Sequence, residues 1–557
     1  MSKPKKAKRP ISKVEQVSIS LLITLIIGAL FFYFFLPAIN LKSGDFYTFA
    51  ILLCIVFAFV SLLVSGTNLR NEDPRSLIKL LKSRCLPAVI LVIALVAVAL
   101  VGYLVSAPVF RARSYRDLLQ VDTGDFASEV AEVSYEEIPM LDESSAQRLG
   151  DRRLGELADL VSQFEVAETY TQINFLNRPV RVTYLNYGDF FKWINNREEG
   201  LPAYITVDMV TQEVSVVRLS SLGLEGIKYS PTELFGRNLQ RHIRFRYPTF
   251  MFSQPTFEID ETGHPWWVCP RLAKTIGLFG GVDIEGAVLV DAITGECTYF
   301  PVEEIPNWVD RVYPADLIMQ QYDYHGTYIN GFLNSFFGQQ GVTVTTSGYN
   351  YIAMDDDVYM YTGVTSVSSD ESNVGFLLSN QRTKQTTYYA IGGAIEESAR
   401  DSAEGVVQDL GYKSTFPLLL NIGGEPTYFM SLKDQSQLVK QYAMVNVSQY
   451  QIVATGVTVA ECEANYLALL SAQGITVEPV QPVSTVQGAI TDIRAAVMNG
   501  NSRYFIKLSG SDTYYSFLAV DHPLVVLLNV GDSITVTYTT PKEDHSDFLE
   551  GRSVTRN

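Results

Sequence analysis

The sequence predicts an α+β membrane protein: three transmembrane helices, then tandem units in which one helix covers an antiparallel sheet, then a small β-barrel. Three observations predict it. Three uncharged apolar runs lie within the first 107 positions, a hairpin-and-turn pattern recurs four times downstream, and near the C-terminus the pattern changes to short alternating strands. A hydrophobic content of 47% with 12% aromatic residues excludes general disorder. The charged fraction of 18% lies below the usual value of roughly a quarter, as expected of a chain partly in lipid. At about 100–200 residues per domain, 557 residues are too many for one core.

Residues 17–39, 46–65 and 87–107 carry no charge, and each run is long enough to cross a hydrocarbon layer about 30 Å thick. The first exceeds the apolar length of a secretion signal and no small-residue cleavage site follows it, so it reads as a retained helix. Lys3, Lys5, Lys6, Lys8, Arg9 and Lys13 precede the first run, whereas the following connection holds only Lys42. Arg70, Arg75, Lys79, Lys82 and Arg84 crowd the next connection. The positive-inside rule then sets the N-terminus in the cytoplasm and residues 108–557 on the far side of the membrane, with Arg111, Arg113 and Arg116 as interfacial anchors.

Residues 1–106 hold 12 basic and 4 acidic side chains, so the remainder carries −25 of the total charge of −17. Such a field repels nucleic acid and suits solubility or a basic partner. Cys269, Cys297 and Cys462 are the only cysteines of the exterior, an odd number that denies a disulfide framework. One bridge, Cys269 to Cys297, is sterically open to the chain but not needed by domains of this size.

The repeat has two halves. The first is a hairpin: Ile173 and Asn174 lead through Asn177-Arg178-Pro179 into Val180, Ile259 and Asp260 through Gly263-His264-Pro265 into Trp266, and Leu420 and Asn421 through Gly424-Glu425-Pro426 into Tyr428. The second is a strand running into an Asx turn, with Thr at +3 and Glu or Gln at +5: Asp208, Thr211, Glu213; Asp291, Thr294, Glu296; Asn380, Thr383, Gln385. An Asx side chain closes such a turn on backbone N–H groups and needs no ligand. The fourth copy, read at Tyr450 to Gly456, lacks the Asx. The third replaces its first turn with Asp355-Asp356-Asp357, which has no D-x-D-x-D-G frame and predicts no metal. Helices are expected over 144–157 and 396–410, and Ser230-Pro231-Thr232-Glu233 reads as the start of another.

Val290-Asp291-Ala-Ile-Thr294-Gly295-Glu296 resembles the last turn of PepSY-type modules, small exported helix-on-sheet domains, and the resemblance extends in pieces over about 170–456. The whole chain resembles bacterial multi-span membrane proteins labelled colicin V production-like, a label that concerns the membrane part at most. PepSY-type modules occur in propeptides of secreted proteases and in envelope proteins, so the resemblance implies binding or inhibition rather than catalysis. The division is then a basic N-terminus (1–16), the anchor (17–107), PepSY-like units (108–229 and 230–314), an aromatic helical insert (315–341), a third β unit (342–395), a fourth PepSY-like unit (396–474), the barrel (475–541) and a flexible tail (542–557).

Within the insert Tyr322, Tyr324 and Tyr328 crowd with Phe332, Phe336 and Phe337. Together with Trp266, Trp267 and Trp308 these tyrosines form the candidate binding surface, against the plainer reading of a helix packed on a sheet. Thr458 to Glu461 is a capping box. From Val486 through Tyr504, Tyr514 and Ile534 the alternation, with a Gly531-Asp532 turn, resembles an OB-fold, whose usual nucleic-acid ligand the acidic exterior argues against. His242, His264, His325, His522 and His545 fit no H-E-x-x-H frame, and there is no G-x-S-x-G elbow or phosphate-binding G-x-x-x-x-G-K. No catalytic residue, metal or cofactor is expected. The expected function is extracytoplasmic binding or scaffolding, with the lipid bilayer and a protein or cell-wall component as partners. The alternatives are a regulator or chaperone of an exported protease, and a two-carboxylate glycan hydrolase.

Overall fold

The computed structural model of the protein describes residues 12–64, 85–130, 138–176, 178–354, 357–367, 369–475, 483–498, 501–511, 513–519, 522–539 and 548–556. It is a mixed α and β chain with three apolar helices at its N-terminal end, α1 (Lys13–Phe35), α2 (Gly44–Val64) and α3 (Leu86–Ser106), each long and apolar enough to cross a membrane. The first begins earlier than hydropathy alone places it, because Ser12 and Glu15 form a reciprocal capping box. It ends at Phe35, where Leu36 takes the left-handed conformation (φ 51°) ahead of Pro37.

The end of α1, the connection to α2 and the end of α3 all dock on the folded region. Ile39 N–H donates to the Pro248 carbonyl (2.8 Å), and Arg244 Nε to the Leu36 carbonyl (2.9 Å). The tip of a long hairpin reaches α3, where Leu278 N–H and Phe279 N–H both donate to Ser106 Oγ (2.9 and 3.1 Å). A helix α4 (Pro108–Arg116) then turns the chain, with Tyr115 Oη donating to the Ser106 carbonyl.

Among the described residues four sheets follow, and their antiparallel strands share one topology, to which the third sheet adds two short strands, one of them parallel. A split first strand pairs with a long second strand, which pairs with a third, which pairs with a short fourth. The long pairs are Arg178–Tyr187 with Ala203–Asp208, Pro265–Ile276 with Gly280–Asp291, Asp357–Ser366 with Ser369–Asn380, and Glu425–Lys433 with Val439–Asn446. Helices Glu143–Gly155, Leu239–Arg246, Ala315–Thr327 and Glu396–Val406 precede the four sheets in turn. The aromatic segment expected as an insert is therefore the third unit's own helix, followed by a short extra one, Phe332–Phe337.

The units bury both faces of their sheets. Val182 and Ile205 of the first share a core with Phe257, Trp267 and Val290 of the second. The opposite face of the second, with Val268, Ala287 and Leu289, meets Met360, Val364 and Leu377 of the third. The third sheet's other face, Tyr361, Phe376 and Leu378, meets Leu420, Phe429 and Met444 of the fourth. Strand alternation sends adjacent residues to different neighbours, so a continuous apolar run serves two cores.

The first and fourth units close this arrangement. Lys433 Nζ bonds Asp142 (2.7 Å), Gln212 reaches the Tyr442 hydroxyl (3.2 Å), and Met140 links the two units, its N–H donating to the Met209 carbonyl (2.8 Å) and its carbonyl accepting from the Ser431 hydroxyl (2.7 Å). The chain leaving α4 is threaded through the far units. Its strand Asp122–Gly124 pairs in parallel with Thr386–Tyr389, and Phe126 and Ile138 lie in the core of the third and fourth sheets.

Each Asx turn has the geometry its spacing implies. Asp208, Asp291 and Asn380 each accept N–H groups from the residues at +2 and +3, and the Thr hydroxyl at +3 accepts the N–H at +5. The residue at +4 is left-handed in all three, Gln212 (φ 61°), Gly295 (φ 76°) and Lys384 (φ 65°), although only the second copy carries glycine. The fourth copy has its Asx after all, at Asn446, which accepts Gln449 N–H in a turn one residue longer. The stretch 450–456 contains the fourth strand Val453–Gly456.

A second repeat is visible only in three dimensions. A residue at the start of each long second strand, or directly before it in the case of His264, faces the Asx side chain: Arg178 with Asp208 (3.0 Å), His264 with Asp291 (3.2 Å), Asp357 with Asn380 (2.8 Å) and Glu425 with Asn446 (3.2 Å). Where the opening residue is basic the Asx is aspartate, and where it is acidic the Asx is asparagine. Asp357 is also held by both Nε and Nη2 of Arg382 (2.7 Å each), so its charge is satisfied without a metal. Asp355 and Asp356 lie outside the described residues.

Two further expectations change. Ser230 caps only a turn, its hydroxyl accepting Glu233 N–H, because Glu233 is drawn inside by Tyr187 Oη and Trp193 Nε1 (2.8 Å each); the helix begins at Leu239 with Asn238 as its cap. The C-terminal strands Val483–Met498, Asn501–Leu508, Tyr514–Leu518, Ser533–Thr539 and Phe548–Arg556 form a closed barrel. The last of these occupies most of the segment expected as a loose tail. It pairs in parallel with 514–516 and antiparallel with 533–539, removing two free edges that the shorter barrel would expose.

Asn380 is buried against Asp357, so Asn380→Asp sets two carboxylates face to face. The substitution is expected to lower stability by about 2–4 kcal/mol at neutral pH. The new carboxyl is destabilised in its charged form on folding, so its folded pKa is raised and the loss shrinks as pH falls toward 5. Urea unfolding of the detergent-solubilised protein at the two pH values measures both.

Candidate functional site

Where the four units meet, the packing leaves a cavity of about 1220 Å3. All four contribute to its wall: Tyr170 and Arg181 from the first, Phe257 and Trp267 from the second, Tyr349 and Tyr351 from the third and Phe416 from the fourth. The chain crossing from second to third unit supplies Arg311 and Ala315. Its size exceeds most small-molecule pockets, and polar or charged residues make up about half of its lining beside the aromatic rings, a larger polar share than such pockets usually carry.

Two guanidinium groups stand in this wall. Arg181 projects from the middle of an otherwise apolar strand and is 7% exposed. Its Nη1 donates to the Tyr170 carbonyl (3.3 Å), and its Nε is buried with no partner. Burial pulls its pKa down, an effect the charges of Glu143 and Asp142 oppose and that of Arg311 reinforces. Arg311 lies with its guanidinium carbon 3.8 Å from the centre of the Tyr351 ring and donates to that tyrosine's hydroxyl. Among the described residues, no carboxylate comes within ion-pair distance of either arginine.

The backbone that roots Arg311 is gripped from below. Glu258, fully buried, accepts the N–H of Asp310 (2.9 Å) and of Arg311 (3.2 Å), and Asp310 accepts Asn174 N–H (2.7 Å). Three units therefore fix one cation: the second through Glu258, the first through Asn174, the third through Tyr351. Burial raises the Glu258 carboxyl, and burial together with the adjacent Glu258 charge raises Asp310 well above the ordinary carboxylate range. These two acids are buried and do not line the cavity.

The acids that do line it are engaged or at the rim. Asp142 caps the helix Glu143–Gly155 through Ser145 N–H and pairs with Lys433. Burial opposes its charge, but the bonds from Lys433 and Ser145 outweigh burial and hold its carboxyl below the usual value. Glu143 accepts Tyr170 N–H, and Asp316, in the first turn of its helix, is exposed.

Of the six residues singled out as a binding surface, Trp267 lines the cavity, where its Nε1 donates to the Tyr229 carbonyl (2.8 Å). Trp266 and Trp308 pack on each other (5.7 Å between ring centres), with Trp266 Nε1 donating to Asp260. Tyr322 is buried in the core between second and third sheets. Tyr324 and Tyr328 stack on each other and against Tyr115, under the end of the membrane helices. The structure thus does not gather these six into one surface. Arg181, Arg311 and Tyr351 escaped the sequence reading, although a lone arginine inside Pro179-Val-Arg181-Val-Thr183 was the available signal.

Cys269 and Cys297 are separate buried thiols, pushed up by burial, Cys297 to about 11. His242 contacts the Gly295 carbonyl and His325 the Arg116 carbonyl; His545 lies outside the described residues. Among the described residues no group of three or more His, Cys, Asp or Glu side chains is placed to hold a metal. The sequence matches no protein-family model, and no curated protein matches it.

Lys433→Met removes the cation that holds Asp142, and is expected to cost about 1–3 kcal/mol, less than a fully buried pair because the Asp142 side chain is 34% exposed. A depressed folded pKa contributes stability that is present above the unfolded aspartate value and is lost as pH falls through the folded one. The gap between wild type and variant in thermal unfolding should therefore close below about pH 4.

Proposed function

We propose that the protein is a membrane-anchored binding protein of the bacterial envelope, its N-terminus cytoplasmic and residues 108–557 extracytoplasmic, that receives its ligand in the central cavity and performs no catalysis. The observation that carries this reading is the cavity itself: four units of one topology, each helix on sheet, converge on a single space walled by aromatic rings and two arginines. The shared Asx turn supports reading the units as PepSY-like, and the five-stranded closed barrel supports an OB-like terminal domain. The basic leader and the basic 65–84 connection support the orientation.

The bilayer is the second partner. Phe110 follows α3 directly, and the helix Phe332–Phe337 packs on α4 with Leu333, Phe336 and Phe337 70%, 67% and 87% exposed. Contiguous apolar exposure at the end of a spanning helix continues the lipid-facing surface into the interfacial layer.

Two measurements test the reading. Glu303→Cys should react with a membrane-impermeant maleimide on intact cells, and Lys5→Cys only after permeabilisation; the reverse pattern contradicts the orientation. Native mass spectrometry of the full chain released from its own membrane should show an added non-protein mass that Gln320→Trp, at the cavity's exposed edge, diminishes. A bare-chain mass contradicts the binding role.

A further inference from the structure

The cavity's wall has a chemical asymmetry that the binding role does not itself require. Cations lie inside and free acids lie at the edge. Arg181 is more than nine-tenths buried, its Nε lacks a partner, and only one of its other donors is matched by protein. Arg311 spends its guanidinium on the face and hydroxyl of Tyr351, and the two arginines raise each other's energy by charge repulsion. The charges of Glu143 and Asp142 partly offset that of Arg181 from beyond ion-pair distance, but Asp142 is bonded to Lys433 and Glu143 to Tyr170 N–H, and neither accepts a hydrogen bond from Arg181, while Asp316 is exposed at the rim.

A buried guanidinium with an empty donor is costly in a free protein, and two beside one space are costlier. Such an arrangement persists where an occupant supplies the missing acceptors, because a guanidinium fork matches a planar carboxylate or a phosphate oxygen pair. The space is far larger than one oxyanion, and rings border part of it: half-buried Tyr349 and Tyr351 in edge contact (5.4 Å) and Phe416, with the buried Trp267 and Phe257 beside them. Rings of this kind hold the flat body of an aromatic or sugar moiety.

Resting on the cavity's role as the receiving site, we propose that its ligand is a small molecule bearing an oxyanion, carboxylate or phosphate, on a ring-containing body, with the oxyanion seated between Arg181 and Arg311. The arginines are binding residues, and Tyr351 positions Arg311.

The test uses the full chain in detergent and three probes that share a ring: phenyl phosphate, benzoate and benzyl alcohol. One or both anions should raise the unfolding temperature and bind by calorimetry, and benzyl alcohol should not; the stronger anion identifies the oxyanion class. Arg311→Gln should weaken that binding by roughly tenfold or more, the ordinary worth of a charge-assisted bond. Arg181→Met should abolish the anion's effect while leaving the ligand-free unfolding temperature unchanged or higher, since it removes a buried unpaired charge. An equal response to benzyl alcohol would show a receiving cavity without anion selectivity, overturning this proposal but not the binding role. No response to any probe overturns it too, and with a bare-chain mass in native spectrometry removes the binding role as well. An Arg181→Met protein that is destabilised yet still binds the anion would make Arg181 structural and overturn the assignment.

Discussion

The pairing of each long strand's opening residue with the Asx that ends its neighbour is the constraint on which the four sheets depend. It sets register at the end where the hairpin and the following turn meet, and a slip of one residue would exchange the two buried faces of a strand such as Pro265–Ile276. Since those faces belong to different cores, a slip in one unit would damage two interfaces. The reversal of sign between the first two copies and the last two shows that the contact matters rather than either residue: Arg178 with Asp208 and Glu425 with Asn446 solve one geometric problem with opposite chemistry.

Register in the sheets in turn positions the cavity. Arg181 sits three residues beyond Arg178 on the same strand, and Arg311 is rooted through Glu258 on the strand paired with Trp266 and Trp267. The sheets also carry the membrane connection, since the hairpin tip at Leu278 and Phe279 ends on Ser106 of α3. Gly102 permits this approach; a Cβ there would lie 2.5 Å from Leu278 Cδ2. Anchor, sheet and cavity are consequently one mechanical path.

Much of this was legible in the residues. Hydrophobic runs place the three membrane helices within a few residues, because lipid imposes length and composition directly. The Asx, Thr, Glu spacing gives the turns, because short-range hydrogen bonding decides them. The fourth Asx was missed because its turn is one residue longer, which shifts Asn446 out of the expected frame. The closing strand at 548–556 was hidden by Glu550, Gly551 and Arg552, which break the alternation that marks the other barrel strands. The site was the least legible part. Arg181, Tyr351 and Phe416 come from three units and Arg311 from the chain between the second and third, and they are brought together only by tertiary packing, so no spacing encodes them.

The proposed role of the four stacked units is to receive an anion between two guanidinium groups. An experimental density map of the chain extracted from its own membrane tests it most directly. The account predicts non-protein density between the two guanidinium groups, with acceptor atoms at hydrogen-bond distance from both Arg181 and Arg311. A cavity closed by its own side chains, with Arg181 paired to Glu143, would contradict it.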